Sequence, residues 1–276
     1  DNDYGNGGPK REQIWKQISK NFSIAEATAK MEDSNAVIDV TYQLAAGNSY
    51  VVTYKIYPSG VVNASLKFTA LEKAEPNAPR IGVRFRLPEI MDNISYLGRG
   101  PQENYWDRKA GSMIDLYKTT AEKMYYPYVR PQENGHHSDT RWVALTAVKG
   151  KGLLIEGNPT IEFNALRNTI EDFDDEEQTA LPRQWNNFTP EMVANHDEAQ
   201  AKDVLRRQHH VNDVTPRNFV EVCVDMKQQG LAGYDSWGAR PEPAYTLPAN
   251  REYQWGFTLI PLQDANNIQG KTGFSY

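Results

Sequence analysis

Arg80-Ile81-Gly82-Val83-Arg84-Phe85-Arg86-Leu87-Pro88 carries the cleanest two-residue period in the chain. Side chains on an extended backbone point alternately to opposite faces, so Ile81, Val83, Phe85 and Leu87 make an apolar face while Arg80, Gly82, Arg84 and Arg86 make a wet one. Pro88 has no N–H for a ladder and closes the strand. The same period recurs on both sides of this stretch. Ala36, Ile38, Val40, Tyr42 and Leu44 oppose Asp39, Thr41 and Gln43. Tyr50, Val52, Tyr54 and Ile56 run through the turn Pro58-Ser59-Gly60 into Val62, Ala64, Leu66 and Phe68, which predicts a hairpin. Further on, Arg141 to Val148 and Gly152 to Ile155 flank Lys149-Gly150-Lys151. Val220, Val222, Val224 and Met226, then Tyr253, Trp255, Phe257 and Leu259, add two more alternating runs. Many short strands punctuated by turn signals predict an all-β fold, a sandwich or barrel.

Two segments break the period. From Lys10 to Phe22 the apolar residues Ile14, Trp15, Ile18 and Phe22 fall three or four apart behind Pro9, the spacing of a short amphipathic helix. Residues 170–208 open with the acidic run Glu171-Asp172-Phe173-Asp174-Asp175-Glu176-Glu177, then offer Thr189 as N-cap, Pro190 in the first turn and Glu191 behind it. This predicts an inserted, partly helical excursion whose charges are solvated.

Composition bounds the function. With 276 residues, 39% hydrophobic and 24% charged, the chain has enough apolar material for one large core. A formal net charge of −6 argues against a nucleic-acid partner, which would call for clustered Lys and Arg. No apolar run reaches the roughly 20 residues a membrane span needs, so no membrane partner is expected. Cys223 is the only cysteine and sits in an alternating run, which suits packing rather than a disulfide or a thiolate metal site. His209 and His210 are adjacent and point apart, a poor chelating pair.

Between Asp92 and Asp139 the alternation gives way to loops dense in Gly, Pro and polar or aromatic residues, the composition of ordered segments built for side-chain contacts. Three of the chain's motifs carry a resemblance. Gly98-Arg99-Gly100-Pro101-Gln102-Glu103-Asn104-Tyr105-Trp106-Asp107-Arg108 closely resembles the G-x-G-P-x-E-N-Y-x-D-R signature of the C-terminal domain of family 2 glycoside hydrolases of the β-galactosidase type. Tyr126-Pro127-Tyr128-Val129-Arg130-Pro131-Gln132-Glu133-Asn134-Gly135 resembles that domain's Y-P-Y-V-x-P-Q-E-N-G, and Asp235-Ser236-Trp237-Gly238 its D-S-W-G element. The first residues, Asp1-Asn2-Asp3-Tyr4-Gly5-Asn6, look like the end of its R-A-P-x-D-N-D-x-G motif. The resemblance covers nearly all of the chain and is weakest over 170–208.

What the resemblance implies is a large twisted antiparallel β-sandwich, a supersandwich similar to that of galactose mutarotases, with short helical insertions. Residues 1–276 would form one C-terminal domain, with 1–8 the truncated end of a linker that runs beside the active site. The catalytic glutamates of such enzymes lie in a preceding barrel, so no catalytic residue is expected here. The implied carbohydrate-binding residues are Trp237, Asp235, Ser236, Asp3 and Gly5. An indole face stacks on the C–H face of a pyranose, which gives Trp237 a physical rationale. Two positions depart from the family's G-x-G-G-D-x-S-W-G: Ala232 stands for a glycine and Tyr234 for an acidic residue. The implied partners are a galactoside and the barrel domain of the same polypeptide. Homo-oligomer assembly is left open, as is the choice between bacterial cytoplasm and periplasm. No cofactor is implied in this segment; Mg and Na belong to other domains of full-length relatives.

The residues also support other readings. Glu103 and Glu133 could be taken for the carboxylate pair of a glycosidase, against the blander expectation that each fixes a loop by accepting backbone N–H groups. His136 and His137, near Asp139 and Arg141, could serve sugar ring opening as acid and base, as in an aldose 1-epimerase. A stand-alone carbohydrate-binding module is the third alternative.

Overall fold

The computed structural model describes residues 7–44, 47–70, 76–173, 211–235, 238–264 and 268. Eleven strands appear among them, all pairing antiparallel. They are β1 (Ser23–Glu32), β2 (Asn35–Gln43), β3 (Ser49–Ile56), β4 (Val62–Thr69), β5 (Arg80–Pro88), β6 (Asn93–Gly100), β7 (Met113–Thr120), β8 (His137–Thr146), β9 (Gly152–Leu166), β10 (Phe219–Gln228) and β11 (Glu252–Leu262). Helices are short: α1 (Gly8–Arg11), α2 (Gln13–Lys20) and α3 (Ala121–Met124). The fold is all-β, as the alternation predicts.

The sheet runs β1-β2-β3-β4-β11-β9-β8-β6-β7, and β10 joins β9 to β5. The long strand β9 makes this branching possible. Its first half pairs with β11 from Phe257↔Gly157 to Leu262↔Gly152, and its second half pairs with β10 from Glu221↔Leu166 to Asp225↔Glu162. The sheet therefore folds over itself. Val52, Ala64 and Leu66 of β3 and β4 share one core with Val220, Val222 and Val224 of β10, with Val83, Phe85 and Leu87 of β5 packed against it. These pairs of strands are not neighbours in the sheet, so they meet face to face as two layers of a sandwich. Strand β8 lies between two cores: Val143 and Leu145 enter this one, while Trp142 and Ala144 enter a second with Leu154, Ile260 and Leu262. Burial on both faces is why Trp142-Val143-Ala144-Leu145 is an unbroken apolar run, while the first half of the strand, His137 to Arg141, is polar.

Three expectations are corrected. Arg84 and Arg86 are exposed as the alternation predicts, but Arg80 is largely enclosed, its guanidinium bonded to Gln228 at 2.6 Å and Glu133 at 3.1 Å, with Asp225 at 3.2 Å. The segment from Asp92 to Asp139 holds strands β6 and β7 as well as loops, and Gly98 to Gly100 are the end of β6. A Cβ at Gly98 would stand 2.6 Å from Thr140 Oγ1, so the glycine that reads as a loop signal is a close strand-to-strand approach. The predicted helix of Lys10 to Phe22 stops earlier, and Phe22 lies outside α2, exposed and edge-on to Tyr42. Within α2, Ile18 is buried and Trp15 donates from its indole to Pro76 O at 3.0 Å while meeting Phe68 edge-on.

The expected excursion at 170–208 falls mostly outside the described residues. In the chain it falls between the paired strands β9 and β10, and the described residues on either side of it are bonded to one another. Arg217 N donates to Arg167 O at 2.6 Å, Asn168 Nδ2 to Thr215 O at 3.0 Å, and Arg217 Nε to Asp172 Oδ2 at 3.0 Å. The two flanks are thus tied into a neck.

Candidate functional site

The first Pro-Gln-Glu-Asn loop is tied to the start of β8 at Asn104, which is fully buried. Its Nδ2 donates to Arg99 O at 3.0 Å and Gln102 O at 3.2 Å, and its Oδ1 accepts from Ser138 N at 2.9 Å and Ser138 Oγ at 2.6 Å. Its own N–H reaches His136 O at 2.7 Å. One amide side chain thus satisfies backbone groups of the first motif and of the start of β8, as buried polar groups require. Asn134 does the same locally, accepting from Tyr126 N at 3.1 Å and donating to Gln132 O at 2.9 Å.

Both loop glutamates are committed. Glu103 accepts from Gly135 N at 2.7 Å, from Arg108 at 3.2 Å and from the Tyr128 hydroxyl. Glu133 accepts from Arg80 at 3.1 Å and Asn164 Nδ2 at 3.4 Å. Both histidines are buried. The His137 Nδ1–H donates to Arg99 O at 2.9 Å, and burial pushes the imidazole down to about 4, so it is neutral at neutral pH. His136 lies flat against Tyr105, ring centroids 5.3 Å apart, with Nε2 3.0 Å from Glu162. Burial works to raise Glu162, but His136 and Lys227, the latter at 2.9 Å, hold it below the usual carboxylate range. Burial pushes Asp225 up to about 7, outweighing the opposing charge of Arg80. Asp139, at φ 50°, accepts from Arg99 at 2.6 Å and Lys109 at 2.8 Å, which hold it low against partial burial. Sequence reasoning missed Arg80, Glu162, Asp225 and Lys227: the pairing of β5, β9 and β10 brings them together from distant positions, and no local spacing announces it.

The segment that leads into the third motif is bonded to the first. Asp107 accepts from Leu231 N at 3.0 Å and Ala232 N at 2.7 Å, so the loop that leaves β10 rests on the first motif's carboxylate. Asp235 is exposed and accepts from Ala239 N at 3.1 Å. Tyr234, where the family has an acidic residue, donates its hydroxyl across the loop toward Arg240 O and Glu242, each at 3.3 Å. Asp3, Gly5, Ser236 and Trp237 lie outside the described residues, as do His209 and His210. An open cleft of about 590 Å³ adjoins this end, lined among others by Glu103, Asp107, Arg108, Tyr126 and Tyr128. Cys223 is buried, with burial raising its thiol, as a packing residue would be. Among the described residues no helix is long and apolar enough to cross a membrane, and no group of three or more His, Cys, Asp or Glu is arranged to hold a metal ion.

Fold and loops together define an antiparallel β-sandwich domain in which the first motif is bonded both to the second and to the loop that leaves β10. Residues 1–259 match the model of the beta galactosidase small chain, and the chain belongs to that family. It is 35% identical over 265 residues to a beta-galactosidase of Priestia megaterium, a match covering 95% of this chain and 22% of the relative. With the beta-galactosidase of Streptococcus thermophilus the identity is 28% over 266 residues, covering 95% and 23%. The chain therefore spans less than a quarter of the length of these curated relatives. Among solved structures it is similar to a galactose mutarotase related enzyme from Lactobacillus acidophilus at 8% identity and a TM-score of 0.27, covering 87% of this chain and 71% of that one. The fold class rests on the strand pairing described above.

Proposed function

We propose that this chain is the C-terminal accessory domain of a family 2 β-galactosidase that hydrolyses terminal β-D-galactose residues. The catalytic carboxylates belong to a barrel preceding it in the polypeptide, and Trp237, with Asp235, Ser236, Asp3 and Gly5, completes the sugar site. The observation that carries this reading is the commitment of Glu103 and Glu133. Each is bonded to an arginine and to further loop or strand donors, so these carboxylates act as structural acceptors and the acid and nucleophile must come from elsewhere. Burial of both imidazoles removes support from the epimerase reading, since an acid or base must reach the sugar.

Two measurements test the proposal. Incubated with a chromogenic β-galactoside, the isolated chain is expected to release no chromophore. Turnover that disappears in Glu103→Gln or Glu133→Gln would overturn the assignment. In the full-length polypeptide, Trp237→Ala is expected to raise KM about tenfold with the fold intact, because truncating a stacked aromatic removes ~1–3 kcal/mol and 1.4 kcal/mol is a factor of ten. Unchanged KM and kcat would make Trp237 a packing residue.

A further inference from the structure

We propose that the open cleft between the first two motifs is a saccharide-binding subsite, in which the Tyr126 and Tyr128 rings carry one face of a neutral pyranoside while Asp107 and Arg108 take its hydroxyls. Its occupancy does not depend on the role of Trp237. The first motif divides its side chains between two tasks. Glu103 and Asn104 are spent on structure, the one bonded to Gly135 N, Arg108 and the Tyr128 hydroxyl, the other fully buried. Asp107 and Arg108 reach the cleft with bonding capacity left over. Asp107 accepts one amide on each oxygen, Leu231 N at 3.0 Å and Ala232 N at 2.7 Å. A carboxylate offers about four lone-pair sites, so acceptor capacity remains. Arg108 spends Nη2 on Glu103 at 3.2 Å and on the Tyr128 hydroxyl at 3.4 Å, while its Nε and Nη1 bond none of the described residues. Its guanidinium lies 5.1 Å from the centroid of the Tyr105 ring, a stacking that holds the donor fork in place.

The second motif supplies an aromatic platform. The Tyr126 and Tyr128 rings are 4.5 Å apart with their planes inclined at 47°, and Tyr126 is 50% exposed. Tyr126 N donates to Asn134 Oδ1 at 3.1 Å and Tyr128 N to Tyr126 O at 2.9 Å, so the backbone beneath both rings is set before a ligand arrives and less ordering is lost on binding. Volume and charge select the ligand. The cleft's 590 Å³ lies within the range of about 300–1,000 Å³ common to small-molecule sites. Its charged residues are Glu103, Asp107, Arg108 and Lys109, two of each sign, which favours neither an anion nor a cation. A protein partner is a poorer match, because the core of such an interface is depleted of charge. A neutral ligand with many hydroxyls and an apolar C–H face meets the donors, the acceptor and the rings together.

The 276-residue chain contains its own hydrophobic cores and can be tested by itself. Methyl β-D-galactopyranoside is the probe, with saturation-transfer NMR showing which sugar protons touch the protein and a shift titration giving Kd. A ligand this small is expected to bind with Kd on the order of 1–10 mM. Tyr126→Ala is expected to weaken binding about fivefold or more and to abolish saturation of the sugar's C–H face. Arg108→Gln is expected to weaken it about threefold or more. Unfolding midpoints should stay close to the parent's, since both side chains are exposed. No saturation transfer at sugar concentrations well above that range overturns the proposal. Binding that survives both substitutions unchanged places the sugar elsewhere and overturns it too, as does displacement of the sugar by inorganic phosphate, the mark of an anion site. Should Tyr126→Ala fail to fold, Arg108→Gln carries the test. No turnover is measured, so these outcomes are independent of where the catalytic carboxylates lie.

Discussion

At Asn104, the first motif and the start of β8, 34 positions apart, are joined by side-chain bonds to the backbone, whereas along β1 the backbone ladder to β2 is the principal support and every side chain of the strand is exposed. The loop end lacks regular secondary structure over much of its length, yet its polar groups are the more fully enclosed. The edge is one continuous strand from Ser23 to Glu32, with a single register shift between Ile24 and Glu26, yet buries almost nothing. Regularity and burial are separate sources of order, and this molecule places the second where its motifs are.

Substitutions at the two places should differ accordingly. Asn104→Ala removes the acceptor used by the buried Ser138 N–H and hydroxyl and the donors to Arg99 O and Gln102 O, and leaves a void in place of a fully buried side chain. At ~1–3 kcal/mol for an unsatisfied buried group, it is expected to lower stability by about 2–4 kcal/mol in a urea titration. A loss below about 1 kcal/mol would show that the loops hold without the hub.

A smaller effect should appear with pH. His137 has a folded pKa of about 4, below the 6.5 of the unfolded chain, so the unfolded state binds the extra proton between those values. The stability it contributes is fully present above pH 6.5 and is lost as pH falls toward 4. The difference between the parent and His137→Gln should shift by about 1 kcal/mol between pH 7 and 5.5. A difference that does not vary with pH would mean the imidazole titrates normally. Asp225 runs the other way, its raised pKa favouring the fold at low pH and withdrawing that contribution as pH rises through about 7, which is why the variant difference, not the raw profile, is the test.

The smallest effects belong to the edge. Ile24→Thr and Met31→Thr remove side chains that are 60% and 68% exposed, and each is expected to change stability by less than about 0.5 kcal/mol. A loss above about 1.5 kcal/mol in the isolated chain would contradict the openness of this edge.

The same contrast explains what was legible in the sequence. β5, the β3–β4 hairpin, β10 and β11 were readable because one apolar face alternates with a polar one. β1 does alternate, with Ala25, Ala27, Ala29 and Met31 opposite Glu26, Thr28, Lys30 and Glu32, but the apolar face is mostly alanine and covers no core, so its period is too weak in hydrophobicity to stand out. β6 was hidden because Gly98 and Gly100 stand where larger residues would mark a buried strand. At the site, local motifs located the loops, and the loop-fixing expectation for Glu103 agrees with its bonds to Gly135, Arg108 and Tyr128. Arg80 read as a wet residue because its partners, Glu133 and Asp225, are 53 and 145 positions away, and only strand pairing reveals a long-range ion pair.

The neck at the base of the β9–β10 connection has an architectural consequence. Because Arg167, Asn168 and Asp172 are bonded directly to Thr215 and Arg217, the sandwich is closed off below whatever chain lies between Phe173 and Val211. With the ends already joined, doubling the intervening length adds only about 0.6 kcal/mol of closure entropy. That makes the connection a permissive port, a place where chain can be lengthened, shortened or exchanged for a reporter domain while the strands on either side keep their register.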